Sequence, residues 1–235
     1  MSRAKRARGE KPLFWIGSSL GDLLDFPETV RDEIGAALSV AQFGGKHPSA
    51  KPWKGAGAGV LEIVEDYRGD AYRGIYTVKF ADAVYVLHAF QKKSPSGIKT
   101  PRKDVELIGQ RLNWHSRTMR LVMVTRKNGK QLVTRSSGNV FADLRLPNAE
   151  EKQTKVRLAV AINRIIEDQR LSQAIAARRL KINQPKISAL SNFKLDGFSV
   201  ERLMNFLTAL DRDVDIVIRR KARSGRAGRI FVVAA

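Results

Sequence analysis

The chain has 235 residues, no cysteine and a formal net charge of +20. The lack of cysteine excludes disulfides, thiolate metal sites and cysteine nucleophiles, and the three histidines lie too far apart in sequence to suggest a metal site. No stretch is apolar over the roughly 18 residues that a membrane span needs, so the charge predicts nucleic acid, and not a membrane, as the partner. We expect no cofactor and a cytoplasmic protein.

The first 112 residues predict a basic arm followed by a small α+β domain. Residues 1–10 are polar and basic, which indicates a disordered arm. Two helices are expected next, the first capped by Ser18 or Ser19 and the second beginning at Pro27. Gly44 and Gly45 end the second helix, and a loop rich in lysine, proline and glycine follows over residues 46–59.

Three alternating segments follow, joined by tight turns. They are Val60–Tyr67, Ala71–Phe80 and Ala83–Phe90, and their spacing predicts an antiparallel meander. A closing helix from Thr100 to about Leu112 completes the domain. Residues 11–112 therefore predict the order ααβββα around an antiparallel sheet.

The remainder predicts a basic linker over residues 113–135 and an all-α domain over residues 136–235. A long helix begins at Asn148, with acidic residues in its first turn, and a later helix spans residues 199–210. Val214–Arg219 and Arg229–Val233 alternate as strands. They predict either an intrachain hairpin or a strand that pairs with a second copy in a dimer.

Residues 171–193 predict a helix-turn-helix. Ser172 caps a helix to about Leu180, and a second helix begins at Gln184, with Ile187 and Leu190 facing inward. The outward face is then the surface that enters a DNA major groove. The predicted DNA contacts are Gln173, Gln184, Pro185, Lys186, Ser188, Ala189, Asn192 and Lys194.

Two observations qualify this interpretation. An ordinary pair of core helices with solvated polar faces would show a similar pattern. Such turns also commonly hold glycine in the left-handed region, and Lys181 stands at or near that place.

Both halves resemble known families. Residues 136–235, through LSQAIAARRLKINQPKISAL and the flanking segments, resemble the HigA-type antitoxins of the Xre/Cro group. Residues 11–112, through KPLFWIGSSLGDLLDFP and VYVLHAFQKKSPSGIKTP, resemble the phage-derived HigB branch of the RelE toxin superfamily. The order matches the HigBA operon, although the two families normally occur as separate chains. The resemblance implies a fused toxin–antitoxin protein.

The resemblance also implies a chemistry for the N-terminal half. RelE-like toxins cut mRNA on the ribosome without a metal, by attack of a ribose 2′-OH on the adjacent phosphate, and fixed cations stabilise the developing negative charge. The catalytic candidates are Arg73, His88, Lys92, Lys93 and Lys54. Each has a simpler interpretation: the lysines as strand-edge charges, Arg73 as a surface charge and His88 as a satisfied core residue.

Three functions follow. The C-terminal half could bind operator DNA as a homodimeric autorepressor, nucleoid-associated when bound, and neutralise a ribosome-dependent mRNA endoribonuclease in the N-terminal half. Alternatively, the chain could be a helix-turn-helix regulator with an inactive RelE-like scaffold. A third hypothesis is an active ribonuclease whose C-terminal half is poorly expressed or removed.

Overall fold

A computed structural model describes residues 10–55, 59–78, 80, 83–92, 101–118, 126–127, 130–131, 133–218, 220, 230 and 232. Its contacts divide the chain into two compact units, one over Lys11–Ala149 and the other over Glu150–Ala235 together with Met1–Glu10. The predicted arm lies outside the described residues except for Glu10. Among the described residues, no helix combines the length and the apolar character that crossing a membrane requires.

A six-stranded mixed sheet forms the first unit. In spatial order, its strands are β2 (Ala50–Pro52), β3 (Val60–Tyr67), β4 (Asp70–Thr77), β5 (Val84–Lys92), β1 (Leu13–Ile16) and β8 (Val133–Arg135). β1 runs parallel to β5, whereas the other neighbouring strands pair antiparallel. A separate ribbon joins β6 (Arg126–Lys127) to β7 (Lys130–Gln131).

Helices cover both faces of this sheet. They are α1 (Ser19–Leu24), α2 (Glu28–Gln42), α3 (Arg102–Thr118) and α4 (Val140–Asp143). A Cβ added to Gly74 would lie 3.2 Å from Ile34 Cγ2, which places α2 against that face. The next residue, Ile75, points to the opposite face because strand side chains alternate, and it packs there in one cluster with Ile108 of α3.

The predicted meander and the flanking helices are present, but the order ααβββα is incomplete. Leu13–Ile16 forms β1 between β5 and β8, so the sheet is mixed and not antiparallel throughout. A four-residue strand is too short to show alternation, and its parallel partner lies about 70 residues away. β2 is a second addition, because it lies inside the predicted loop over residues 46–59.

The contacts also divide the chain elsewhere than the predicted boundary at residue 136. α3 continues to Thr118, and Val133–Arg135 pairs with β1. α4 follows with Val140, Phe141 and Leu144 buried in the same unit. Residues 133–149, assigned from the sequence to the linker and the second domain, thus pack with the first unit.

Four helices form the described part of the second unit: α5 (Ala149–Asp168), α6 (Gln173–Arg179), α7 (Gln184–Ser191) and α8 (Val200–Ala209). Apolar side chains from every one of them are buried, among them Ala159, Ala176, Ile187 and Leu203. Arg157 of α5 is also buried, and its Nη2 donates to both carboxylate oxygens of Glu10 at 3.1 Å. A buried charge with a bidentate partner avoids the cost of an unpaired ion.

The predicted strand at Val214–Arg219 is wrong for the single chain. Residues 214–218 are irregular, and no described strand pairs with them. Without a neighbouring strand, the backbone N–H and C=O groups of this segment have no ladder partner, and a ladder of such hydrogen bonds is what defines a strand. Arg219 and most of Arg229–Val233 lie outside the described residues.

Candidate nucleic-acid interface

α6 and α7 are separate helices, each begun by a side-chain cap. Ser172 Oγ accepts a hydrogen bond from the Ile175 amide at 3.3 Å. Asn183 Oδ1 accepts one from the Lys186 amide at 3.1 Å, and Pro185 lies in the first turn of α7. These caps satisfy amides that a helix start leaves unpaired. Local sequence therefore fixes where α7 begins and which residues it presents.

The turn between the two helices adopts the left-handed conformation predicted for its glycine-like position. Lys181 has φ 53°. The amide of Ile182 donates back to Ala177 O at 2.9 Å, and the amide of Lys181 donates to Arg178 O at 3.2 Å. Two such returning bonds close the end of α6. The turn keeps its shape with lysine in place of glycine.

The inner face of α7 anchors it to the unit. Ile187 and Leu190 are 1% and 0% exposed, and Ala176 of α6 is fully buried. Asn163 Nδ2 of α5 donates to Leu190 O at 3.2 Å. These contacts fix the rotation of α7 about its axis and therefore which side chains face solvent.

All eight predicted DNA-contact residues retain solvent exposure, in two groups. Gln173, Gln184, Pro185 and Lys194 are exposed, whereas Lys186, Ser188, Ala189 and Asn192 are half-buried. The side-chain Nδ2 of Asn192 donates a hydrogen bond to Ser188 O at 2.8 Å. This donor is therefore already used within the last turn of α7.

Two cations beside α7 were not among the predicted contacts. Arg178, in the last turn of α6, and Lys181, in the turn, are both exposed. Their charge and their place between the two helices were the available signal. Arg179 next to them is engaged with Gln169 Oε1 at 2.8 Å and with Asp211.

The N-terminal unit brings three of its five catalytic candidates, Arg73, His88 and Lys92, to one sheet face. Residues directly opposite in neighbouring strands share a face. Arg73 is opposite Phe90, and Ile75 is opposite both Glu62 and His88, so Glu62, Arg73 and His88 all point to the α3 side. Arg73 Nη1 forms an ion pair with Glu62 Oε2 at 2.7 Å, and both side chains are largely buried.

Of the three lysine candidates, two lie within the described residues. Lys92 ends β5 opposite Ala71, two residues beyond Phe90 and therefore on the same face as Arg73 and His88, and it is half-buried. Lys54 is exposed in the turn after the edge strand β2, three strands away from β5. Lys93 lies outside the described residues.

His88 is held between two carboxylates. Its Nδ1 lies 3.2 Å from Asp22 Oδ2 of α1, and its Nε2 lies 3.0 Å from Asp104 Oδ1 of α3. A carboxylate oxygen can only accept, so both contacts are hydrogen bonds when both ring nitrogens carry hydrogen. The ring therefore ties α1 and α3 to β5, an arrangement that favours a structural role over proton transfer.

Arg111 of α3 extends this network. Its Nη1 donates to Leu87 O at 2.6 Å and its Nη2 to Ser18 Oγ at 2.8 Å. Burial lowers the pKa of Arg111, and the nearby Asp22 carboxylate opposes that shift. Sequence reasoning missed Asp22, Asp104 and Arg111, because residues 16 to 66 positions from His88 give no local signal of contact.

Comparison with known proteins finds a match in each part of the chain. Residues 21–113 match the family described as phage-derived protein Gp49-like. Residues 140–219 match a family described as a helix-turn-helix domain. One solved structure is named "Putative XRE Family Transcriptional Regulator". It is 68% identical to this chain, and the match covers 100% of its length and 38% of this chain. Through its helix-turn-helix domain, this chain belongs to the XRE family.

The sequence identity alone carries this assignment; the TM-score of the pair is 0.36. No curated protein matches the chain. The Gp49-like match begins within α1 and ends within α3, whereas β1 and β8 lie outside it. The matches support a DNA-binding regulator of the XRE family preceded by a toxin-like domain.

Proposed function

We propose that the chain is an autorepressor that binds operator DNA through α6 and α7, and that its Gp49-like unit is a RelE-type mRNA endoribonuclease kept silent in the same chain. The observation that carries the proposal is the presentation of α7. Its apolar side is buried through Ile187 and Leu190, while Gln184 and Pro185 at its start are exposed. A recognition helix needs one side buried against its own domain and the other side free to contact base edges.

The side chains of α7 suit both kinds of DNA contact. The amide of Gln184 can donate and accept in one plane, as recognition of adenine in the major groove requires. Lys186, with Lys194, Arg178 and Lys181 nearby in sequence, supplies cations for phosphates, which set affinity and register. An electrophoretic mobility shift on the DNA upstream of the chain's own gene tests the proposal, with the variants described in the Discussion.

A scaffold role for the N-terminal unit is the second candidate, because of its ion pairs. Glu62 balances Arg73 at 2.7 Å, and Asp22 and Asp104 flank His88. A cation already paired with a carboxylate presents less positive charge to a phosphate. In this second function the unit supports the regulator and cleaves no RNA.

We further propose that the regulator is a homodimer joined by its C-terminal segment. Two-fold operators are read by two helix-turn-helix units. Ile216, Val217 and Ile218 are 75%, 66% and 94% exposed. Pairing with the same segment of a second copy would bury these apolar side chains and satisfy their backbone hydrogen bonds.

Replacing Ile216 and Ile218 together by Asp should therefore give a monomer. The two positions share one face of an extended strand, and a buried unpaired carboxylate opposes pairing. Sedimentation equilibrium measures the mass, with Asp213→Asn and Asp215→Asn as a double-substitution control in the same segment. A dimer that survives both Asp substitutions would place the interface elsewhere.

A further inference from the structure

The strand β8 extends the sheet of the N-terminal unit from beyond the predicted linker. Arg135, Thr134 and Val133 pair with Phe14, Trp15 and Ile16 of β1. The Ser136 amide continues the ladder by donating to Leu13 O at 3.0 Å. Without this addition, the side of β1 that faces away from β5 would be an open edge, which sheets normally cover.

The helix α4 follows at once and packs against α2. Phe141 and Leu144 are 1% and 0% exposed. A Cβ on Gly35 of α2 would lie 3.1 Å from Leu144 Cδ1 and 3.3 Å from Phe141 Cδ1. Glycine within a helix lowers stability by roughly 1 kcal/mol relative to alanine. The close approach of α4 explains why a residue without a side chain occupies position 35.

Polar groups fix the register of the same segment. Trp15 Nε1 donates to Asp143 Oδ2 at 3.1 Å, and Arg31 Nη1 donates to Leu144 O at 2.6 Å. Asn139 caps α4 by accepting from the amides of Phe141 and Ala142. Strand pairing, an apolar helix face and directed hydrogen bonds therefore act together, as in known modes of peptide recognition.

The surface beneath the segment is distinct from the face that carries the catalytic candidates. β8 lies at one end of the strand order, next to β1, whereas Glu62 and Arg73 lie on β3 and β4 near the other end. α4 packs on α2, on the opposite side of the sheet from His88. The segment can thus hold the unit without covering those residues.

We propose that residues 133–146 are a docking segment that binds the surface of β1 and α2 without help from the covalent link through residues 119–132. The partner class for that surface is a short strand followed by one turn of helix with the apolar pattern of Val140, Phe141 and Leu144. The inference goes beyond the proposed function, because it holds whether or not the N-terminal unit cleaves RNA. It implies that the same protein made as two chains, divided before residue 133, would assemble.

Cleavage of the folded full-length chain tests the proposal. A protease recognition sequence is inserted after Met123, the chain is cut, and gel filtration follows the two pieces. We expect them to elute together. Separation of the wild-type pieces at micromolar concentration would overturn the proposal. Because Glu10 of the first piece pairs with Arg157 of the second, every arm is repeated with Glu10→Gln.

Two further arms assign the binding to the segment. In the cut chain, Leu144→Asp should weaken association by at least about 100-fold, because it buries an unpaired charge. Arg145→Ala, which changes the exposed residue next to it, should leave association unchanged. An excess of a synthetic peptide of residues 130–148 should also displace the second piece from the cut wild-type chain, which needs no variant to fold. A peptide carrying Leu144→Asp serves as the control. Failure of the wild-type peptide to displace the piece would contradict the proposal.

Discussion

Replacing Gln184 and Lys186 together by Ala should lower operator affinity by about 100-fold. One lost amide contact to a base is worth roughly 1–3 kcal/mol, and the lost lysine removes a phosphate contact and reduces the salt slope of binding by about 1. Gln184 is exposed and Lys186 half-buried on α7, so truncation should leave the anchors Ile187 and Leu190 in place. Fluorescence anisotropy over a salt series measures both quantities.

Lys103→Ala is the charge-matched control for this prediction. Lys103 is an exposed residue of α3 in the other unit, so its loss lowers the net charge equally without touching α7. Thermal melts of the variants check folding. If the double variant binds operator as tightly as the control does, α7 is not the recognition helix.

Expression of residues 1–148 alone should arrest growth, whereas the full chain should not. This fragment retains the strands and helices of the first unit, including β8 and α4, and removes the helix-turn-helix. Arg73→Ala in the fragment should relieve the arrest, because loss of one transition-state cation costs about 100-fold or more in rate. Growth curves and cleavage of a reporter mRNA are the measurements.

Arg68→Ala provides the matched control for the growth assay. Arg68 is exposed in the turn between β3 and β4, with φ 52°. Its replacement by Ala removes the same charge from the same unit. A fragment that is soluble and harmless would favour the scaffold function. An arrest that Arg73→Ala leaves intact would remove Arg73 from the site.

The helix-turn-helix was predictable because its signals are local. The caps, the proline in the first turn of α7 and the spacing of Ile187 and Leu190 all fall within about 20 residues. Each of these features acts on the backbone within one or two helical turns. The left-handed Lys181 was likewise visible as a departure from glycine at a defined turn position.

The parts that escaped prediction depend on distant partners. β1 is four residues long and pairs with β5, far along the chain. The contacts of His88 reach Asp22 and Asp104 on two different helices. Periodicity reports which face of an element is apolar, but it does not say which element covers that face.

The domain boundary illustrates a different limit. Family resemblance divides the chain where two proteins usually end and begin, near residue 136. The contacts divide it after Ala149, because β8 and α4 add backbone pairs and buried side chains to the first unit. Residues 140–149 match the helix-turn-helix family in sequence, yet they pack within the unit over Lys11–Ala149.

Photo-crosslinking from the start of α7 tests the central claim most directly. A benzophenone amino acid at Gln184, which is exposed, should crosslink to a base within the operator, and the same group at Lys103 should not. Mapping the crosslinked nucleotide identifies the position read in the groove. Operator bound at full affinity with no crosslink from residue 184 would contradict the account.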